Sequence, residues 1–269
     1  MRVSSHRSRT GPVVAILAAA GLGLLVLPLL GLLLRAPWAA LPGLLVSEAV
    51  LQALLLSLGT AAVSTVVCLV FGIPIAVVLS HSVHWPLVPR RLLRAAITIP
   101  LVLPPVVGGI ALLLLLGRRG MVGQWLAEAG VTIPFTTGAV VIAQTFVAMP
   151  FLVFAVEGAL RSADRRSELA AATLGASPGQ TFRLVTLPLV APGIAAGAVL
   201  CFTRALGEFG ATITFAGSFP GVTRTLPIAS YLAMNSDPET AIALALVLLA
   251  VSLVVLLALR DRWLPGVVR

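Results

Sequence analysis

The sequence predicts an all-α polytopic membrane protein with six transmembrane helices and one helical loop held in water. Three observations predict it. The chain is 59% hydrophobic and 10% charged, with a mean hydropathy of +1.10; a soluble domain carries about a quarter charged residues. Its apolar residues gather into runs of roughly twenty, the length that crosses a hydrocarbon core. All 18 basic residues are Arg, and all but Arg204 fall between or just beyond those runs.

Residues 1–12 form a basic tail with Arg2, Arg7 and Arg9. The first span is Val13 to Leu34. A cleaved leader is the rival reading, but the run exceeds the ~7–15 apolar residues of a signal peptide, and Arg35 follows it. Ala36 to Ser47 is an outer loop in which Trp38 can anchor at the interface. The second span lies within Leu51 to Leu79, and Gly72 and Pro74 are expected to interrupt it near its inner end. The loop His81 to Arg94 follows with Arg90, Arg91 and Arg94. His81 and His84 read as loop residues, because no third ligand stands near them.

The third span, Ala95 to Leu116, contains Pro100, Pro104, Pro105, Gly108 and Gly109. Proline frees carbonyls that lipid cannot satisfy. The span is therefore expected to face a path through the protein, with Pro104 and Pro105 as candidate path residues; a kinked helix packed on its neighbours is the alternative. A short helix is expected from Met121 to Ala129 in the outer segment. The fourth span is Gly138 to Leu160, with Glu157 close to its inner end. The fifth runs from Leu189 to about Gly210 and the sixth from Thr240 to Leu259. Between them, Ile228 to Met234 suits a short helix, and Asn235 or Asp237 can cap the sixth span.

Six spans put both termini on one side. That side holds the tails, the second-to-third loop and the segment after Leu160, with 13 Arg; the other holds Arg35, Arg118, Arg119 and Arg224. The Arg-rich side is expected to be cytoplasmic. The net charge of +9 thus reads as membrane orientation, with lipid rather than nucleic acid as the contact. Lys is absent, and a P-loop needs one to reach nucleotide phosphates. Any ATP-driven work must come from another chain. Cys68 and Cys201 sit in apolar runs as small core residues. No spacing suits a metal, a cofactor or a Ser/His/Asp triad, so no catalytic residue is assigned.

Two stretches stand out. Ser162 to Pro188 is the longest charged island. Ser167 or Asp164 can cap a first short helix, Gly175 suits its left-handed end, and Ser177, Pro178 and Gln180 spell a capping box for a second. Such an elbow is too polar for lipid. The other stretch is Arg204 to Gly210. Arg204 lies ~22 Å along the fifth helix, four residues from Glu208, so the two can pair on one helix face. Charges at that depth face a cavity or the protein interior. The pair either lines or gates a path or is a structural bridge between helices.

These residues carry a resemblance. Leu169-Ala170-Ala171, then Gly175, then Val185-Thr186-Leu187-Pro188 resembles the cytoplasmic EAA loop of ABC-importer permease subunits. The family's Glu falls on Leu169, with Glu168 one place early, and Val185 replaces Ile. Arg204-Ala-Leu-Gly-Glu-Phe-Gly is similar to permeases for tetrahedral oxyanions. The continuation through Pro227, together with Pro100 to Ile110, looks like the molybdate branch. The resemblance covers about Val46 to Arg262. It implies a permease domain at 46–262 with a coupling loop at 162–188, preceded by the first span and outer loop (13–45) and followed by a tail at 263–269. It also implies two copies of this chain in a bacterial cytoplasmic membrane, two copies of an ATPase docked on Glu168, Leu169, Ala170, Ala171, Gly175, Val185, Leu187 and Pro188, and an external binding protein. Sulfate, thiosulfate or tungstate are the alternative substrates. An ion-coupled transporter is a different class, disfavoured by the scarcity of ionisable residues within the spans.

Overall fold

A computed structural model describes residues 11 to 263, and over these the chain is helical, without strands. The basic residues Arg2, Arg7, Arg9 and Arg269 lie outside the described residues. In chain order the helices are α1 (Pro12–Leu34), α2 (Leu41–Leu45), α3 (Glu48–His81), α4 (Leu87–Val102), α5 (Pro105–Leu116), α6 (Gly123–Glu128) and α7 (Thr137–Ser162). They continue as α8 (Arg165–Thr173), α9 (Pro178–Thr181), α10 (Leu187–Leu206), α11 (Gly210–Ala216), α12 (Leu226–Ala233) and α13 (Pro238–Trp263). Among the described residues, five stretches are long and apolar enough to cross a membrane, up to six with the bent pair α4–α5 taken as one span.

Helix α7 is the centre. It packs on α3, α10 and α11, whereas α1 lies at the rim with its apolar side chains exposed. Lipid tails are as apolar as leucine, so helices in a bilayer associate through close packing and buried polar bonds rather than water expulsion. Both devices are present. Gly193 and Gly197 of α10 face α7, where an added Cβ would come 2.2 Å from Ala159 Cβ and 2.9 Å from Leu152 Cδ1. From α3, Ser64 Oγ donates to the Val141 carbonyl at 3.1 Å and lies 3.1 Å from Gln144 Oε1. The Leu226 N–H, at the start of α12, donates to Ser57 Oγ of α3 at 2.7 Å.

Three expectations change. Gly72 and Pro74 do not interrupt the second span; α3 runs through both. Gly72 instead leaves room for α7, since a Cβ there would lie 2.9 Å from Leu152 Cδ2. The third span is not one helix from Ala95. Helix α4 begins at Leu87, takes in Arg90, Arg91 and Arg94, and stops; α5 then departs at 115°. Proline at 104 and 105 explains the turn. A residue before proline is pushed out of the helical region, and Leu103 and Pro104 both sit extended, at ψ 136° and 132°. The sixth span begins earlier, at Pro238, and its cap is Asp237, not Asn235: Asp237 Oδ1 accepts the Thr240 N–H at 3.2 Å. The short helices α6 and α12 each differ from the expected bounds by one or two residues.

Replacing Gly193 by Val should lower the melting temperature in detergent by several degrees, because overpacking a tight interface costs about 1–3 kcal/mol. Gly158→Ala, where an added Cβ meets nothing within 4 Å, should leave the melt unchanged or raise it. Equal melting temperatures for both variants would contradict the packing described.

Candidate functional site

The elbow after α7 is built by local hydrogen bonds. Asp164 caps α8, its Oδ1 accepting the Arg166 N–H at 2.9 Å; Ser167 lies within the helix instead. At the far end the Ala176 N–H donates to the Ala171 carbonyl and the Gly175 N–H to the Ala172 carbonyl, at 3.1 and 3.0 Å. This Schellman closure needs a left-handed residue, and Gly175 supplies it at φ 83°. Ser177 and Gln180 close a reciprocal capping box on α9. One π-helical turn, Phe182–Thr186, then joins α9 to α10. Leu169, Leu174 and Leu184 stand exposed, at 66, 88 and 74%. Ala170, Gly175 and Pro188 are also exposed, while Ala171, Val185 and Leu187 are half-buried. Glu168 turns inward: its Oε1 accepts the Thr186 hydroxyl at 2.7 Å.

At the other end of α10 the helix stops at Leu206, so Arg204 and Glu208 do not share one helix as expected. Gly207 and Glu208 bond back to the Thr203 and Ala205 carbonyls at 3.1 Å each, and the chain restarts as α11. The pair forms across this joint. Arg204 Nη1 lies 2.6 Å from Glu208 Oε2, with the carboxylate 1% exposed and the arginine 27%. No N–H is aligned on Oε2 well enough to be a hydrogen bond, so the contact there is ionic. Glu208 Oε1 accepts the Ala211 N–H at 2.8 Å and caps α11. The α4–α5 break stands against this joint. A Cβ on Gly210 would lie 2.9 Å from Pro105 Cβ, and one on Gly109 would lie 2.8 Å from the Ala211 carbonyl oxygen. The structure thus brings Pro105, at the start of α5 beside Pro104, together with the Glu208–Gly210 segment.

A third cluster joins α4 to α7. Glu157 Oε1 accepts from Arg94 Nη2 at 2.5 Å and forms an ion pair with Arg161, whose Nη2 lies 2.8 Å away. The carboxylate is 5% exposed and the arginines 46 and 41%. Arg94 also stands 6.0 Å from the centre of the Phe154 ring. Among the described residues no His, Cys, Asp and Glu come together as a metal site.

A family model described as the binding-protein-dependent transport system inner membrane component matches residues 69–264. The chain belongs to this family. Among similar proteins, the molybdenum transport system permease protein ModB of Mycobacterium tuberculosis is 51% identical over 245 residues, covering 91% of this chain and 92% of that protein. The sulfate transport system permease protein CysT of Escherichia coli is 34% identical over 242 residues, covering 88% and 86%. A bacterial alginate ABC transporter, solved with a pentasaccharide-bound periplasmic protein, is 19% identical with a TM-score of 0.71, covering 95% of this chain and 96% of that one; the fold is shared. The family and the apolar helices together make this permease a multi-pass inner membrane protein.

Sequence reasoning found the elbow and the Arg204–Glu208 pair of this permease, but missed three things. The Glu168–Thr186 bond spans 18 residues, and the carboxylate's direction has no sequence signal. Arg94 reaches Glu157 across 63 residues; the only hint was an acidic residue near a span end opposite an Arg-rich loop. The meeting of the two broken helices was foreshadowed only by Pro-Pro in one and Gly-x-x-Gly in the other.

Converting Arg94 and Arg161 together to Gln leaves the buried Glu157 carboxylate unpaired, which costs about 3 kcal/mol or more. The double variant should therefore fall well below normal membrane levels. Adding Glu157→Gln should restore them on a quantitative blot; a triple variant no better than the double would contradict the pairing.

Proposed function

We propose that this permease is the membrane-spanning subunit of an ATP-driven importer for molybdate. Residues 46–262 serve as its transport domain. The observation that carries the reading is the 51% identity across 91% of the chain with a molybdenum transport permease, against 34% with the sulfate permease. Sulfate, thiosulfate and tungstate remain the alternatives within the same fold.

The chain itself does no ATP chemistry in this reading, consistent with its lack of any Lys. A separate ATPase docks on the elbow, through Glu168, Leu169, Ala170, Ala171, Gly175, Val185, Leu187 and Pro188. Exposed Leu169 and Leu174 on a capped, pre-formed helix suit insertion into a partner's groove. Two copies of the chain meet two ATPase subunits, and an external binding protein delivers the anion. Both termini and the elbow face the cytoplasm, as the Arg distribution supports. No cofactor is required.

Transport then alternates between two global states biased by nucleotide at the distant ATPase. Helix α10 connects the elbow to the Arg204–Glu208 joint. Pro104, Pro105, Arg204 and Glu208 line or gate the path, because both broken spans meet there. Arg204 is already neutralised by Glu208, so the path offers transit rather than tight binding, and selection falls to the delivery protein.

Affinity-tagged chain should copurify with an ATPase subunit, and proteoliposomes of that complex should take up labelled molybdate only with ATP and the binding protein. Excess unlabelled sulfate should compete weakly; sulfate competing on equal terms would move the assignment to the alternative. Arg204→Gln combined with Glu208→Gln, which leaves no buried charge unpaired, should cut uptake severely at normal membrane levels. Normal uptake by that variant would leave the joint with a purely structural role.

A further inference from the structure

We propose that the Glu168–Thr186 hydrogen bond is the strut that passes motion of the elbow into the α10 rod, making these two side chains positioning residues for transport. The inference rests on the elbow being the ATPase-docking loop. It names how the push leaves the elbow, which the docking reading does not.

Three observations carry it. First, Glu168 lies in the first turn of α8, the elbow helix that exposes Leu169 and Leu174, yet it points away from that exposed side. Its Oε1 accepts the Thr186 hydroxyl at 2.7 Å. A hydroxyl donor to a carboxylate is a charge-assisted bond, shorter and stronger than a neutral one. Second, Thr186 is buried and is the last residue of the π-helical turn, immediately before α10. In a helix a Thr hydroxyl usually bonds back to its own preceding turn; Thr60, Thr65, Thr98 and Thr203 here all do. Thr186 reaches across to α8 instead. Third, the helical path from Pro178 to Leu206 is unbroken, about 43 Å at 1.5 Å per residue. It ends beside Arg204.

The alternatives for transmission are weaker. The covalent route from α8 to α10 passes through Leu174–Ser177, where Gly175 at φ 83° turns the chain. A turn can hinge and so absorb a displacement. The strut bridges that turn and shortens the route. π-helical turns inside otherwise regular helices recur at functional positions, and this one carries the strut's donor.

Complete transporter is reconstituted in proteoliposomes with its ATPase and binding protein, and ATP hydrolysed is measured per labelled molybdate carried. Thr186→Val and Glu168→Ala should each raise that ratio about tenfold, the scale of a lost charge-assisted bond, while ATP hydrolysis itself continues. Thr186→Ser keeps the hydroxyl donor to Glu168 and should stay near wild type. Glu168 is on the half-exposed elbow, so its variants keep the test open if Thr186→Val fails to reach the membrane. The Glu168→Ala/Thr186→Val double variant should be no worse than either single one. An unchanged ratio in the single variants, or losses that add in the double, would overturn the strut while leaving coupled wild-type transport intact. Wild-type uptake that ignores ATP would instead overturn the docking reading, and the strut with it.

Discussion

Lipid offers no hydrogen bonds, so every backbone N–H and C=O within the bilayer must be satisfied by the protein. The architecture here depends on how two interrupted helices meet that demand together. At the α4–α5 break the interrupting residues are Pro104 and Pro105, which have no N–H to strand. The Val107 and Gly108 N–H groups return to the Pro104 carbonyl at 2.9 and 3.2 Å. At the α10–α11 break the Glu208 carboxylate takes up the Ala211 N–H. Each break also shields the other, and the contact closes because Gly109 and Gly210 bring no side chain to it. A methyl group at either place would strike backbone or a proline ring.

From this contact the remaining geometry follows. Helix α11 is held against both α5 and α7, which fixes Glu208 in place. Fixed and buried, the carboxylate needs a cation, and Arg204 one turn back is within reach. A buried charge is tolerable when it is paired and its remaining lone pairs are used; Glu208 gives one oxygen to the arginine and the other to a backbone N–H. Glu157 repeats the solution at the other end of α7 with two arginines. These two carboxylates sit at opposite ends of the α7–α10 pair, whose glycines allow close approach.

Legibility in the sequence followed the range of the interactions. The elbow was readable because capping is local: Asp164, Gly175, Ser177 and Gln180 each act within three or four residues. The apolar runs were readable because lipid imposes a length. Direction was not readable. Hydropathy reports that Ala95 to Leu116 is apolar but not that it turns by 115°, and it stops counting at Arg94, although α4 carries on through Arg90. Gly72 and Pro74 looked like a break, yet α3 runs through both; Gly72 is a packing notch, which only the identity of Leu152 opposite it decides, and Pro74 lies on the exposed side. The Arg204–Glu208 pair was found for a reason that was partly wrong. Four-residue spacing in one helix suggested it, yet the two groups meet across a helix end.

The same range argument explains why the elbow can be folded before any partner arrives. Its two caps are each worth about 1 kcal/mol, and the Glu168–Thr186 bond adds a link to the membrane-embedded part. Binding that must order a flexible loop loses about 0.5–1.5 kcal/mol for each side chain it immobilises. A loop already closed by caps and tied at its base avoids most of that loss. What it leaves free includes three leucines: Leu169, Leu174 and Leu184 project beside Arg166 and Arg183, while Glu168 is turned inward. The resembling motif puts an acid where Leu169 stands. In the docking proposed above, with the charge one position earlier and internally bonded, contact at that point would change from a salt bridge to burial of a leucine, worth about 1.5–3 kcal/mol when complete and far less sensitive to salt. Under that proposal, shape complementarity around Leu169 and Leu174, rather than charge at that position, would select the ATPase.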